Sequence, residues 1–187
     1  IQNVFSNLAM GDVMQIAFWM NVGSAVCSGL TILFLFWTIT ALGRKVYLRN
    51  PDTESTLSES DTIKVMGAGL VGALGYAFTD TFWFSAVESE VYAMSSLCTA
   101  VVFWGILKWE VRANQEGGDR WLVFIAYVMG LSIGVHLLNL LVIPAIALVI
   151  YFKKSKVVTT KGVILSLLTG VVVLGFILWG VIQYVIK

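Results

Sequence analysis

The chain has 187 residues, of which 58% are hydrophobic and 12% charged, with a net charge of +1 and a mean hydropathy of +0.87. A soluble domain carries about a quarter charged residues, so this composition excludes an ordinary water-soluble fold and gives no footing for nucleic-acid binding. It points to an all-α integral membrane protein, a single domain over 1–187 built as a bundle of about five or six transmembrane helices.

The chain opens on Ile1 with no basic n-region of a signal peptide before the first span, and reads as an internal fragment of something longer. The first span is expected over about 13–43, long enough to tilt or to extend past the bilayer. Its Asn21, Ser24 and Ser28 form one stripe suited to close helix packing. Cys27 here and Cys98 further on lie in apolar runs and read as small buried hydrophobes. A polar loop, 44–64, carries Pro51, Asp52, Glu54, Ser58, Glu59 and Asp61. The second span, 65–79, carries the small-residue pairs Ala68/Gly72 and Gly69/Ala73. The third is expected over 82–107 and a second polar loop over 108–120. The stretch 121–152 is too long for one ordinary helix. It is followed by a basic loop, 153–161, and a last span, 162–186.

Lysine and arginine set the orientation. Eleven of the twelve basic residues fall in or beside the loops 44–64, 108–120 and 153–161, leaving only Lys187. Basic loops stay cytoplasmic, and all three can do so only if 121–152 folds back as a short hairpin, 121–134 and 137–152. Each arm would then have about 14 to 16 residues, roughly 22 Å of helix, short of the ~30 Å hydrocarbon core. The apex near Gly134, Val135 and His136 would sit below the outer surface, in protein or facing a wet cavity. A single broken span is the alternative. Pro144 is expected to kink the second arm.

The opposite face then receives Asp12, Asp80, Glu88, Glu90 and His136, the one histidine. Ionisable groups at membrane depth are costly and point to function. Glu88 and Glu90 lie about 200° apart on a helix, so they face one ligand only if the helix begins at or after them. Otherwise they read as interfacial acids favourable to a helix start. His136 can donate to a phosphate, carry a proton or satisfy apex carbonyls, and Asn139, three residues on, suits an interhelical hydrogen bond. Trp19, Phe82, Trp83, Phe84, Trp104, Trp109 and Trp121 fall mostly near expected interfaces, although Trp83 could instead stack on a sugar ring. No Walker loop, dinucleotide fingerprint, zinc pattern or Ser-His-Asp set is present.

The runs FTDTFWFSAVESEVYAMSSL (Phe78–Leu97), LKWE (Leu107–Glu110) and MGLSIGVHLLNLLVIPAI (Met129–Ile146), with the first span Met20–Thr40, resemble a bacterial family of multispanning proteins. That family is known as domain of unknown function 2723 or glycosyltransferase family 117, related to the protein O-mannosyltransferases of the GT-C superfamily. The resemblance covers nearly the whole chain. It implies a GT-C-like transferase of the bacterial inner membrane. Such an enzyme moves a sugar from a polyprenyl-phosphate donor to a protein or glycan acceptor on the noncytoplasmic, periplasmic side.

The resemblance further implies that the catalytic carboxylate sits on an outer loop upstream of Ile1, so the base is not assigned and this fragment alone should be inactive. Asp80, Trp83, Glu88, Glu90, Tyr92, His136 and Asn139 would form the substrate-site wall. The leaving phosphate needs a hydrogen-bonding or positive partner, to be supplied by His136, by other parts of the protein or by a divalent cation. A membrane transporter or lipid flippase is the alternative function, since broken helices with ionisable groups also suit transport.

Overall fold

A computed structural model describes residues 2–8, 12–48, 57–89, 91–181 and 183, and among them it is helical, with no strand. The helices are α1 (Gln2–Asn7), α2 (Val13–Tyr47), α3 (Glu59–Ala77), α4 (Asp80–Val87), α5 (Val91–Arg112), α6 (Arg120–Ile133), α7 (Ile143–Lys154) and α8 (Thr160–Phe176). A 3-10 helix, Leu137–Val142, precedes α7, and a π-helical turn, Ile177–Val181, follows α8. Four helical segments are long and apolar enough to cross a membrane, namely Met14–Tyr47, Val91–Arg112, Leu137–Lys154 and Thr160–Gly180, and α3 with α4 make a fifth if that pair, bent by 68°, counts as one span. The chain divides into two compact units, Ile1–Trp104 and Gly105–Lys187.

In the first unit, α2 starts where the Asp12 carboxylate accepts the Met14 N–H at 2.9 Å, satisfying one of the donors that a helix start leaves open. Its 35 residues measure about 52 Å, well over the hydrocarbon thickness. Against it packs α3, whose Val65, Gly69 and Ala73 are buried at every fourth position. A Cβ on Gly69 would come 2.5 Å from Thr40 Cγ2, and one on Gly72 would come 2.9 Å from Ile39 Cδ1. The small residues therefore set the approach of the two backbones, which is how helices associate where lipid removes most of the hydrophobic driving force. On α2, Ser24 and Ser28 are buried, whereas Asn21 is exposed, so the expected polar stripe is shorter by one residue.

Helix boundaries differ from the sequence expectation in three ways. The loop expected over 44–64 is narrower, because α2 continues to Tyr47 and α3 begins at Glu59. There the Ser58 hydroxyl caps Asp61 N–H at 3.1 Å and Lys64 bonds Asp61 at 2.8 Å. Likewise the loop expected over 108–120 reduces to 113–119, and that over 153–161 to 155–159. Most important, no continuous helix runs over 82–107. The break at Thr79 puts α4 beyond a bend, α4 ends at Val87, Glu88 is extended, and α5 begins at Val91. An unbroken helix would thread Glu88 and its neighbours through an apolar segment, and a non-helical joint lets the carboxylate leave it. Residues 49–56 and the end of the last expected span, 182 and 184–186, lie outside the described residues.

In the second unit, the stretch 120–154 folds back on itself. The Lys154 ammonium donates to the carbonyl oxygen of Ala113 at 3.2 Å and stands 5.9 Å from the centre of the Trp109 ring. Drawn straight, 35 residues of helix would separate those ends by about 50 Å. Trp109 is fully buried, and its indole N–H donates to Asp119 at 3.2 Å, closing the turn between α5 and α6. This indole belongs to a packed joint, not to the aromatic belt expected of it. Helix α7 then packs on α8. A Cβ on Gly170 would lie 2.6 Å from Pro144 Cα, and the Ser166 hydroxyl donates to the Ala147 carbonyl at 2.8 Å. Pro144 sits in the first turn of α7, where the 3-10 helix gives way to it, so it starts that helix where a missing N–H costs nothing.

Candidate functional site

The bend between α3 and α4 is built from three consecutive residues. Phe78 ends α3, and Thr79 turns to extended backbone with its hydroxyl donating to the Tyr76 carbonyl at 2.8 Å. Asp80 then opens α4, where its charge complements the helix dipole. Phe82 is buried against Tyr76, with ring centres 4.7 Å apart, and this contact anchors α4. On the outer side, Phe78 and Trp83 stack at 6.1 Å with 16° between their planes, and Trp83 is 55% exposed. An exposed indole with a carboxylate three residues away can take the apolar face of a sugar ring while Asp80 accepts from its hydroxyls. Glu88 stands just beyond the other end of α4, also exposed, about 12 Å along the helix axis from Asp80. The two acids therefore flank a surface instead of gripping one atom. Tyr92 lies in the first turn of α5 and is 45% exposed. Glu90 lies outside the described residues.

In the second unit the expected apex exists, and its polar side chains are held by the chain itself. The carbonyl of Ser132 accepts from both Val135 and His136 N–H, at 2.9 and 2.8 Å. His136 is extended, and its Nδ1 accepts the Leu138 N–H at 3.1 Å as the cap of the 3-10 helix. A neutral ring with Nδ1 as acceptor carries its proton on Nε2, which is then the donor side. Asn139 is fully buried. Its Nδ2 donates to Ser132 Oγ at 2.9 Å, and that hydroxyl donates in turn to Met129 O at 2.7 Å. Asn139 thus ties α6 to the 3-10 helix and does not form part of an open wall. Its partner lies across the turn, seven residues back, which helical spacing does not reveal.

Asp12, Asp80, Trp83, Glu88 and Tyr92 belong to the first unit, and His136 and Asn139 to the second. Among the described residues, no three His, Cys, Asp or Glu side chains are grouped closely enough to hold a metal ion.

None of the curated proteins and none of the solved structures matches this chain. A family model does match: that of the protein O-mannosyl-transferase TMEM260 N-terminal domain, over residues 1–159.

Proposed function

The chain belongs to the protein O-mannosyl-transferase TMEM260 N-terminal domain family, and from that premise we propose that it forms part of a membrane-embedded glycosyltransferase. The family match carries this reading, and the several helices apolar enough to cross a bilayer fit it. In the finer form of the proposal the protein is of the GT-C type, close to bacterial glycosyltransferase family 117, and lies in a bacterial inner membrane. Its donor is a sugar on a polyprenyl phosphate, its acceptor a hydroxyl of protein or glycan, and its site opens to the noncytoplasmic side.

The reaction is an inverting displacement. A carboxylate, not assigned to any residue here, takes the proton of the acceptor hydroxyl, within hydrogen-bond reach of it. The acceptor oxygen bonds to the anomeric carbon as the bond from that carbon to the phosphate oxygen breaks, and the lipid phosphate leaves with the electron pair. In this scheme Trp83 and Asp80 hold a sugar ring at the bend, with Glu88 and Tyr92 beside it; Glu90 is assigned to the same role from its place in the sequence alone, and His136, in the other unit, is assigned separately as a donor from Nε2 to a phosphate oxygen. Asn139 acts through His136 by fixing the break on which that ring sits.

The test follows transfer of labelled sugar from polyprenyl-phosphate donors in membranes holding the full-length protein. Wild type should transfer, and Asp80→Asn, Glu90→Gln or His136→Ala should lower transfer at least tenfold, more than 1.4 kcal/mol of lost transition-state binding, at unchanged expression. The 68° bend in the span formed by α3 and α4 also suits a transporter or flippase. Absence of transfer from every polyprenyl-phosphate sugar, with lipid or solute movement instead, would decide for that second reading.

A further inference from the structure

The turn joining α5 to α6 encloses an open bowl of about 400 Å³, lined by Arg112, Gln115, Glu116, Gly117, Arg120 and Trp121. Its shape is fixed from below. Gly117 takes a left-handed conformation with φ of 75°, which favours glycine. The Trp109–Asp119 bond and the Lys154–Ala113 bond hold the two sides of the turn. The guanidinium of Arg112 lies 5.6 Å from the centre of the Trp121 ring. Stacking uses the face of the guanidinium and leaves its in-plane N–H groups for an oxyanion.

Two further observations concern the surroundings. Arg112 is the last residue of an apolar segment able to cross a membrane, and Arg120 is the first of α6, so the bowl opens where lipid headgroups lie. From Arg120 the positions Val123, Tyr127 and Leu131 continue along one face of α6, and they are 70%, 64% and 58% exposed. A charged bowl is thus continuous with an apolar track running into the bilayer. Two guanidiniums suit a phosphodiester, while the carboxylate of Glu116 opposes a purely anionic headgroup and suits an ammonium.

We propose that this bowl binds the headgroup of an aminophospholipid, its phosphate on Arg112 and Arg120 and its ammonium on Glu116, with an acyl chain along Val123, Tyr127 and Leu131. This site is independent of the transferase reading. Phosphate chemistry is shared with free inorganic phosphate, but the apolar track favours the lipid. Basic pockets between spans are an established way of holding headgroups, and the mixed charge adds a choice among them.

Native mass spectrometry of the purified full-length protein, with equal amounts of phosphatidylethanolamine, phosphatidylglycerol and phosphatidylcholine, measures that choice. Wild type should retain phosphatidylethanolamine over phosphatidylcholine by about tenfold. The double variant Arg112→Lys, Arg120→Lys keeps both charges, and so the membrane orientation, but loses the bidentate geometry and should lower retention of all three lipids. Glu116→Gln should shift retention toward phosphatidylglycerol, a change that poor folding would not produce. Equal retention of the three lipids by wild type, retention untouched by the arginine variants, or a preference untouched by Glu116→Gln, overturns the proposal. So does displacement of every lipid by millimolar inorganic phosphate, which would assign the bowl to the free anion.

Discussion

Two of the breaks between apolar helices, at 78–79 and at 134–136, are built in opposite ways. At the first, a single threonine hydroxyl closes the bend onto Tyr76, and the neighbouring Asp80, Trp83 and Glu88 remain exposed. At the second, Ser132, His136 and Asn139 are engaged with the backbone and with each other. A break whose backbone is satisfied by one small side chain leaves its acids and aromatics available for a ligand. A break that needs three polar side chains is a joint. The comparison separates residues whose replacement should alter chemistry from those whose replacement should alter the fold.

The largest effect on stability should come from neither break but from the packing that supports the second. Gly170→Leu forces a side chain onto the Pro144 backbone and should cost about 3 kcal/mol or more, read as a fall in the thermal midpoint in detergent. Gly29→Leu, with nothing within 4 Å of its Cβ position, should leave that midpoint within about 0.5 kcal/mol of wild type. Next, Asn139→Ala strips the Ser132 hydroxyl of its buried partner and should cost about 1 to 2 kcal/mol, with faster proteolysis near 134–136. Trp109→Phe keeps most of the packing but removes the bond to Asp119, and should lower stability by about 1 kcal/mol. Smallest of all, Asp80→Asn and Glu88→Gln at the exposed bend should change stability by less than about 0.5 kcal/mol. A large destabilisation there would make the bend a joint as well and erase the contrast.

Much of this architecture is legible in the residues. The distribution of lysine and arginine led to the expectation that 121–152 returns, since three basic loops can share one side of a membrane only then. The structure brings Lys154 to the carbonyl of Ala113, at the end of α5. The seam between α2 and α3 was visible as small residues four apart, although which of the two pairs is buried depends on the rotation of α3, and Gly69 with Ala73 is the buried one. The division of 82–107 was less legible, because the joint after Val87 falls in SAVESEVY, which contains no glycine or proline. The available signal was the acidic Glu88-Ser89-Glu90 inside an apolar run. Trp109 with Asp119, and Asn139 with Ser132, pair across turns at separations of ten and seven, where no helical period brings residues together. Of the candidate site, the exposed group at the bend was legible as misplaced charge, and the engagement of His136 and Asn139 was not.

The return of 120–154 to its own starting level also bears on biogenesis. Helix α6 has 14 residues, about 20 Å of helix, too few to hold a transmembrane position by themselves. Were 120–154 to lie in a bilayer as two arms, α6 would have to enter it together with the segment that follows, and the insertion machinery would have to accommodate both as one unit before releasing either to lipid. A ribosome paused with the chain ending near His136 would carry an arm that slips back out, while one paused beyond Lys154 would carry a settled pair.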